Sequence, residues 1–230
     1  IVVAGTHGKT TTTAMLTDVL EEADLDPTAV IGSLRSKTGS NFRAGKSKYA
    51  VVEACEYKRD FLHLEPDILV ITNIELDHVD YYKDLVDVQN AFQTLAKKVP
   101  ADGFIVADVK NENVKPILAG AVATVIDYRE FVSLDLLMRQ PGLHNRLNAG
   151  AVRAVAKKLE IDEKNSDQAL SNFAGTWRRF EYKGTFICDG GAIPVYDDYA
   201  HHPTAIIATI DGVHVQFEDD FLPLGHDHIK

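Results

Sequence analysis

Short apolar runs rich in β-branched residues, alternating with helical patterns, are the feature that most limits how this 230-residue chain can fold. Helical spacing of apolar residues occurs at 9–23 and 85–98. The predicted strands are residues 1–4, 29–33, 49–54, 67–72, 104–107 and 122–127. Because strands that alternate with helices are joined by right-handed crossovers, this order predicts an α/β fold with a mainly parallel sheet and helices on both faces.

The later part of the chain has a different pattern. The stretch 141-PGLHNRLNAGAVRAVAKKL-159 predicts a turn that leads into an amphipathic helix. Residues 185–203 predict strands, whereas residues 211–230 show no clear period. We interpret 211–230 as a tail or an incomplete element.

Charge and composition exclude several classes of function. The formal net charge of −10 argues against a nucleic-acid partner, because such proteins usually present a basic face. No apolar run approaches the ~18 residues of a membrane helix, so no membrane partner is expected. Cys55 and Cys188 are far apart in sequence and predict free thiols in a reducing compartment, the cytoplasm. The chain begins on Ile1 without a signal peptide or an initiator Met, which indicates a piece of a longer protein.

The segment 5-GTHGKTT-11 lies between the first predicted strand and the first predicted helix. Free N–H groups at a helix start attract phosphate, and glycines let the backbone approach the anion closely. Lys9 can then reach the terminal phosphates, and the Thr10 hydroxyl can bind Mg²⁺. The eight-residue P-loop pattern would place its first glycine at Val3, so a glycine turn with a capping threonine is an open alternative. Its place beyond a strand of an open α/β sheet favours phosphate binding, and hence a P-loop-type sheet.

Two further side chains are predicted at the same edge of the sheet as this loop. Glu53 ends one apolar run, and His78 lies just beyond another. A carboxylate at this edge can complete the coordination of Mg²⁺, and an imidazole can hold a second divalent ion. Taken alone, each residue is better explained as a solvated strand-end carboxylate or a capping histidine.

Five segments occur in a fixed order along the chain. They are 5-GTHGKTTTT-13, 52-VEACE-56, 73-NIELDHVDYY-82, 142-GLHNRLNA-149 with 174-AGTWRRFEY-182, and 197-DDYAHHPTAI-206. In this order they resemble the Mur ligases, the ATP-dependent amide-forming enzymes of peptidoglycan synthesis. The last segment resembles the branches of the family that join L-alanine, or a recycled tripeptide, to UDP-N-acetylmuramate. The segments 142-GLHN-145 and 176-TWRRFEY-182 resemble the L-alanine branch more closely.

The resemblance implies ATP and Mg²⁺ as cofactors and a role for each matching position. The implied catalytic residues are Lys9, Glu53, His78 and Arg179, of which Lys9 and Arg179 would face the phosphates. The implied metal ligands are Thr10, Glu53 and His78. The implied nucleotide-binding residues are Gly5, Thr6, His7, Gly8, Lys9, Thr10, Thr11, His144, Asn145, Arg179 and Asp198, with His144 and Asn145 at the adenine and Asp198 at the ribose.

The resemblance also implies a domain organisation and a reaction. Residues 1–195 would be a central ATP-binding domain, and residues 196–230 the start of a C-terminal domain or a tail. ATP would convert a carboxylate of the sugar nucleotide to an acyl phosphate, from which the amine of L-alanine displaces phosphate. The alternative from another class is a fragment that binds nucleotide without turnover, and we expect these residues alone to be inactive.

Overall fold

A seven-stranded sheet forms the centre of the structure, a computed structural model that describes residues 1–188 and 191–217. Its strands in chain order are β1 (Val2–Ala4), β2 (Thr28–Arg35), β3 (Ser40–Arg43), β4 (Ala50–Glu53), β5 (Ile68–Ile71), β6 (Phe104–Ala107) and β7 (Thr124–Asp127). Across the sheet they lie in the order β3-β2-β4-β1-β5-β6-β7, and every pair is parallel except β2 with β3. The predicted mainly parallel α/β sheet is confirmed.

Helices cover both faces of this sheet. They are α1 (Lys9–Glu22), α2 (Leu85–Ala96), α3 (Leu143–Lys158) and α4 (Glu163–Asn172), with short 3₁₀ helices at Tyr57–His63, Lys115–Leu118 and Tyr128–Phe131. Successive strand residues point to opposite faces: Val70 joins the core under α1, α3 and α4, whereas Leu69 and Ile71 join the core under α2. The short parallel strands are therefore buried on both sides, as their continuous apolar runs predict.

The antiparallel edge strand β3 was not predicted. Its four residues, Ser40–Arg43, contain one apolar side chain, Phe42, which is 57% exposed. A strand that buries no side chain shows no alternation of apolar and polar residues, so its sequence reads as a loop. Only its pairing with β2, in which Ala29 lies opposite Arg43, makes it a strand.

The remaining described residues form what we call the C-terminal segment, a hairpin followed by a helix. The hairpin pairs β8 (Glu181–Cys188) with β9 (Gly191–Asp197), and the helix is α5 (Pro203–Phe217). Strands are thus confirmed at 185–188 and 191–197, but the prediction is wrong at residue 203, where Pro203 begins a helix. A helix also replaces the predicted tail at 211–217, and residues 218–230 lie outside the described residues.

Helix α5 escaped prediction because its apolar residues do not lie on one face. Val213 is buried, whereas Ile207 and Val215 are exposed, so the stripe that marks an amphipathic helix is absent from the described side chains. Its contact with the start of α3 depends on small residues: a Cβ on Gly212 would lie 2.8 Å from the Cα of Gly142.

Two predictions from composition can be compared with the structure. Cys55 and Cys188 are free and exposed, as expected. Among the described residues, no helix combines the length and the apolar character needed to cross a bilayer.

Candidate active site

The loop between β1 and α1 has a backbone path that its two glycines make possible. Gly5 has φ +136° and Gly8 has φ +83°, both in the region that side chains with a Cβ rarely adopt. A Cβ at Gly5 would lie 2.1 Å from Thr72 Oγ1, and one at Gly8 would lie 2.5 Å from Asn148 Oδ1. The loop therefore packs its backbone directly against β5 and α3, which fixes its curvature.

Hydrogen bonds from the end of β5 hold this loop in place. The N–H of Thr6 donates to the carbonyl of Asn73 at 3.0 Å, and the N–H of His7 donates to Asn73 Oδ1 at 2.9 Å. The carbonyl of His7 accepts in turn from Asn73 Nδ2 at 3.0 Å and from the Thr72 hydroxyl. Since Thr6 and His7 are both tied to the end of one strand, the backbone of this part of the loop is held in place before any ligand binds.

The start of α1 offers donors to an anion. Gly8 occupies the N-cap position, and in the described chain no side chain caps this helix start and no acidic residue lies in its first turn. The free N–H groups and the positive end of the helix dipole therefore face the space in front of the loop.

The ammonium group of Lys9 lies at the mouth of the loop and is already engaged. It donates to the carbonyls of Gly5 at 2.6 Å and Thr6 at 3.0 Å, and to Glu56 Oε2 at 2.8 Å. Glu56 is only 2% exposed, so its carboxylate depends on this ion pair for compensation. Sequence analysis missed Glu56, although its position three residues after Glu53, at the carboxyl edge of the sheet, was a usable signal.

Thr10, in the first turn of α1, lies beside Glu53, the last residue of β4. The Thr10 hydroxyl donates to Glu53 Oε1 at 2.8 Å, across from the end of β4. A hydroxyl and a carboxylate are the hard oxygen donors that Mg²⁺ prefers, and here they lie beside the loop between β1 and α1. The residues present therefore fit the ion that the sequence predicted.

His78 also lies close to the Glu56 carboxylate. Its backbone has φ +52°, its ring centroid is 4.9 Å from that of Tyr57, and its Nε2 is 3.9 Å from Glu56 Oε1. Cys55, Glu56 and His78 are also close enough together to hold a metal ion. The structure thus brings His78 to the same edge of the sheet as Lys9, and both side chains lie close to the Glu56 carboxylate.

A cavity of about 490 Å³ opens in front of the loop. Of the predicted site residues, those that line it are Thr6, His7, Gly8, Lys9, Thr10, Thr11, Glu53, His78, His144, Asn145, Arg179 and Asp198. Gly5 is the one predicted residue outside this lining, and its part is to shape the turn behind it. The loop is not packed shut by neighbouring side chains, so a triphosphate has room to enter.

The far wall of the cavity combines the start of α3 with the approach to α5. Asn145 donates through Nδ2 to the Pro141 carbonyl at 2.7 Å, and burial lowers the pKa of His144, so its imidazole is neutral near pH 7. The Arg179 guanidinium lies 5.5 Å from the ring centroid of Tyr199. Asp198 accepts the N–H of Phe180 at 2.8 Å and that of Ala200 at 2.7 Å.

His7 and Glu75 add a second cluster on the same wall as the loop. His7 Nε2 is 3.5 Å from Glu75 Oε2, and His202 Nδ1 is 3.7 Å from the same oxygen. Burial lowers the pKa of His7, and the neighbouring Glu75 carboxylate opposes this shift. Sequence analysis placed His7 in the loop and left His202 without a role, and it missed Glu75 because nothing local links residues 7, 75 and 202.

Residues 3–131, more than half of the chain, match the family described as Mur ligase middle domain. A UDP-N-acetylmuramate–L-alanine ligase of Caldicellulosiruptor bescii is 40% identical, over 91% of this chain and 51% of that protein. The chain thus spans about half the length of the curated relatives it matches.

Solved structures agree with this match. A UDP-N-acetylmuramate–alanine ligase from Thermotoga maritima is 29% identical with a TM-score of 0.78, covering 95% of this chain and 54% of that one. A murein peptide ligase from Psychrobacter arcticus is 30% identical with a TM-score of 0.71, covering 95% of this chain and 55% of that one. The family match extends over almost all of the seven-stranded sheet and over the loop between β1 and α1, and the chain therefore belongs to the Mur ligase family.

Proposed function

We propose that these residues bind ATP as the nucleotide-binding part of a ligase that joins L-alanine to UDP-N-acetylmuramate. The observation that carries the proposal is the loop between β1 and α1. It combines two positive-φ glycines, an uncapped helix start in the described chain and the Lys9 ammonium, and it opens onto a cavity of about 490 Å³. Backbone N–H groups and one ammonium are the donors that a triphosphate requires.

The implied metal fits beside this loop. Thr10 and Glu53 would hold Mg²⁺, and His78 would contribute to a second ion close to Glu56. When bound, Mg²⁺ neutralises phosphate charge. The protein's part is to keep the Thr10 hydroxyl and the Glu53 carboxylate in contact, since β4 and α1 are both anchored in the core.

The substrates follow from the relatives. The relatives of about 40% identity are named UDP-N-acetylmuramate–L-alanine ligases, which supports the same substrates here. A carboxylate does not exchange its oxygen for an amine unaided, because oxide is a poor leaving group. Transfer of the terminal phosphate of ATP to the carboxylate gives an acyl phosphate and ADP, and the amine then displaces phosphate as the amide forms. Lys9 and Arg179 would position the phosphates and offset the growing negative charge.

Lys9 must change partners for this to happen. Its ammonium donates to Glu56 and two carbonyls, and an ammonium has only three donors. An incoming phosphate therefore competes with Glu56 for Lys9.

The test is the change in melting temperature on adding ATP with Mg²⁺. A ligand that binds only the folded state stabilises it by about 2.7 kcal/mol at 100 times its Kd. This stabilisation raises the melting temperature. We expect Lys9→Ala to abolish the shift. Because this variant leaves Glu56 buried and unpaired, it will melt lower without ligand, so the quantity compared is the ligand-induced shift.

Lys97→Ala is the matched control. Lys97 donates to Gln93 on the exposed side of α2, and its removal should leave the shift intact. Equal shifts in wild type, Lys9→Ala and Lys97→Ala would show that the phosphate loop is wrongly assigned.

A second candidate substrate is a tripeptide in place of L-alanine. The murein peptide ligase from Psychrobacter arcticus, at 30% identity, favours it. A panel of free amino acids and peptides, tested on the full-length protein with phosphate release as the readout, separates the two. For residues 1–230 alone we expect ATP binding without phosphate release, even with both substrates present.

A further inference from the structure

Three side chains meet beside the phosphate loop, and of these only His7, as part of the loop, has an implied role in nucleotide binding. They are His7 from the loop itself, Glu75 from the segment after β5, and His202, the residue before α5. They come from three distant parts of the chain, and their candidate ligand atoms all lie within 4.8 Å of one another.

The cluster is held by the fold from all sides. Glu75 donates its N–H to the Thr6 hydroxyl at 2.8 Å, and the same hydroxyl donates back to the Glu75 carbonyl. His7 is anchored through its backbone to Asn73. His202 stands at the start of α5, where its Nδ1 accepts a long, 3.3 Å hydrogen bond from the N–H of Thr204.

One atom in this cluster lacks a partner. His7 Nε2 is buried, and within the described part of the chain it has no hydrogen-bond partner. Its nearest polar neighbour is Glu75 Oε2 at 3.5 Å, and the ring of His202 lies 4.8 Å away between centroids. A buried imidazole nitrogen without a partner is costly unless something binds it.

We propose that His7, Glu75 and His202 form a binding site for a transition-metal ion of the Zn²⁺ class, separate from the Mg²⁺ ligands Thr10 and Glu53. Two imidazoles and one carboxylate are a donor set that binds Zn²⁺ and leaves a coordination position open. Imidazole nitrogen selects Zn²⁺, Co²⁺ or Ni²⁺ over Mg²⁺, which prefers oxygen. The ion would contract the cluster slightly and replace the long Thr204 contact at His202.

Such an ion would connect the two parts of the molecule. His7 and Glu75 belong to the sheet edge, whereas His202 belongs to the C-terminal segment. Among the described hydrogen bonds, Glu75 has one with α5: its Oε2 accepts from the Thr204 hydroxyl at 2.9 Å. The proposed metal therefore fixes the start of α5 against the phosphate loop.

The experiment measures metal binding directly, with excess Mg²⁺ present to occupy the oxygen-rich site. Zn²⁺ is titrated by equilibrium dialysis, and Co²⁺ is followed by its visible d–d absorption. The protein is a Cys55→Ser variant, because Cys55, Glu56 and His78 could hold a competing ion. In this background, Glu75→Gln and His202→Ala should each weaken binding about 100-fold, at the upper end of the ~10–100-fold cost of losing even an outer-shell partner.

His201→Ala is the matched control, since His201 is the neighbouring histidine and its ring contacts the Tyr199 carbonyl instead. It should bind Zn²⁺ like the parent. Equal loss in His201→Ala and His202→Ala would overturn the proposal. So would unchanged Zn²⁺ affinity in Glu75→Gln, or Co²⁺ spectra that do not differ between parent and variants. A failure here leaves the ATP-dependent melting shift, and so the proposed function, untouched.

Discussion

The sheet body and the C-terminal segment differ in how they are held together. In the body, strands and helices enclose two clusters of almost completely buried apolar side chains, one on each face of the sheet. In the hairpin of the C-terminal segment, Phe186, Ile187 and Ile193 are each more than half exposed. Both regions nevertheless line the same cavity. The comparison suggests that the body sets stability, whereas the C-terminal segment contributes chiefly to the site.

The largest expected effect compares one phenylalanine from each region. Phe92 is fully buried and meets Phe61 edge to face, with ring centroids 4.9 Å apart. Phe92→Ala should lower the free energy of unfolding by about 3–5 kcal/mol, because it leaves a cavity. Phe186→Ala, at 62% exposure, should change it by less than about 0.5 kcal/mol. Urea denaturation measures both, and similar losses would contradict the contrast between the regions.

The next effect concerns ion pairs and pH. Arg35 is buried between Asp18 and Glu21. Burial tends to raise the pKa of Glu21, but the hydrogen bonds and charges of Arg35 and Lys37 outweigh it and lower the pKa from 4.5 to about 2. A pKa lowered by folding stabilises the protein above the unfolded value of 4.5, and this stability is lost as the pH falls towards 2.

Between pH 6 and pH 3, the Glu21 interaction should therefore lose about 2 kcal/mol of stability. The measurement is the drop in unfolding free energy between pH 6 and pH 3 in wild type, minus the same drop in Glu21→Gln. Burial raises the pKa of Asp18, so Asp18 has the opposite pH dependence. Because both proteins retain Asp18, its contribution cancels in the difference. Asp197→Asn is the counterpart in the C-terminal segment, because Asp197 pairs with Arg178 at 3.1 Å and both side chains remain more than a third exposed. Its pH dependence should match wild type within about 1 kcal/mol, as exposed ion pairs contribute little. A larger change in Asp197→Asn would show that the C-terminal segment also contains a strongly stabilising ion pair, which would contradict the contrast between the two regions.

A third effect compares two glycines with positive φ. At Gly8 a Cβ would lie 2.5 Å from Asn148 Oδ1, whereas at Gly184, with φ +131°, a Cβ would meet no heavy atom within 4 Å in the described chain. Both alanine variants are strained in the backbone, but only Gly8→Ala also clashes. We expect Gly8→Ala to cost about 1 kcal/mol more in unfolding free energy than Gly184→Ala, and to abolish the ATP-dependent melting shift that Gly184→Ala retains. Loss of the shift in both variants would mean that the hairpin, too, shapes the phosphate site.

The same division explains what the sequence could predict. The parallel strands carry continuous apolar runs, α1 and α2 carry apolar residues at helical spacing, and the loop at residues 5–11 carries its own chemistry. These elements were therefore predictable to within a few residues. Glu56, Glu75 and the buried Arg35 were not, because their importance comes from partners 14 to 127 residues away, brought close only by the packing of the sheet. Helix α5 and β3 were not predicted for a different reason. They bury too few apolar side chains to show a periodic pattern in the sequence.

The smallest expected effect compares two aspartates that accept backbone hydrogen bonds. Asp84 caps α2 in the body by accepting the N–H of Asp87 at 2.8 Å, and Asp84→Ala should cost about 1 kcal/mol in unfolding free energy. Asp198→Asn keeps one acceptor oxygen and loses one of its two backbone hydrogen bonds, so it should cost about 1 kcal/mol or less.

The effects of the two variants on ATP binding should differ, because Asp198 lines the cavity and is proposed to contact the ribose, whereas Asp84 lies at the start of α2. Asp198→Asn should reduce the melting shift with ATP and Mg²⁺, and Asp84→Ala should leave it as in wild type. Should both variants lose the same part of the shift, ATP binding would be responding to overall stability rather than to Asp198. The C-terminal segment would then have no part of its own in the site.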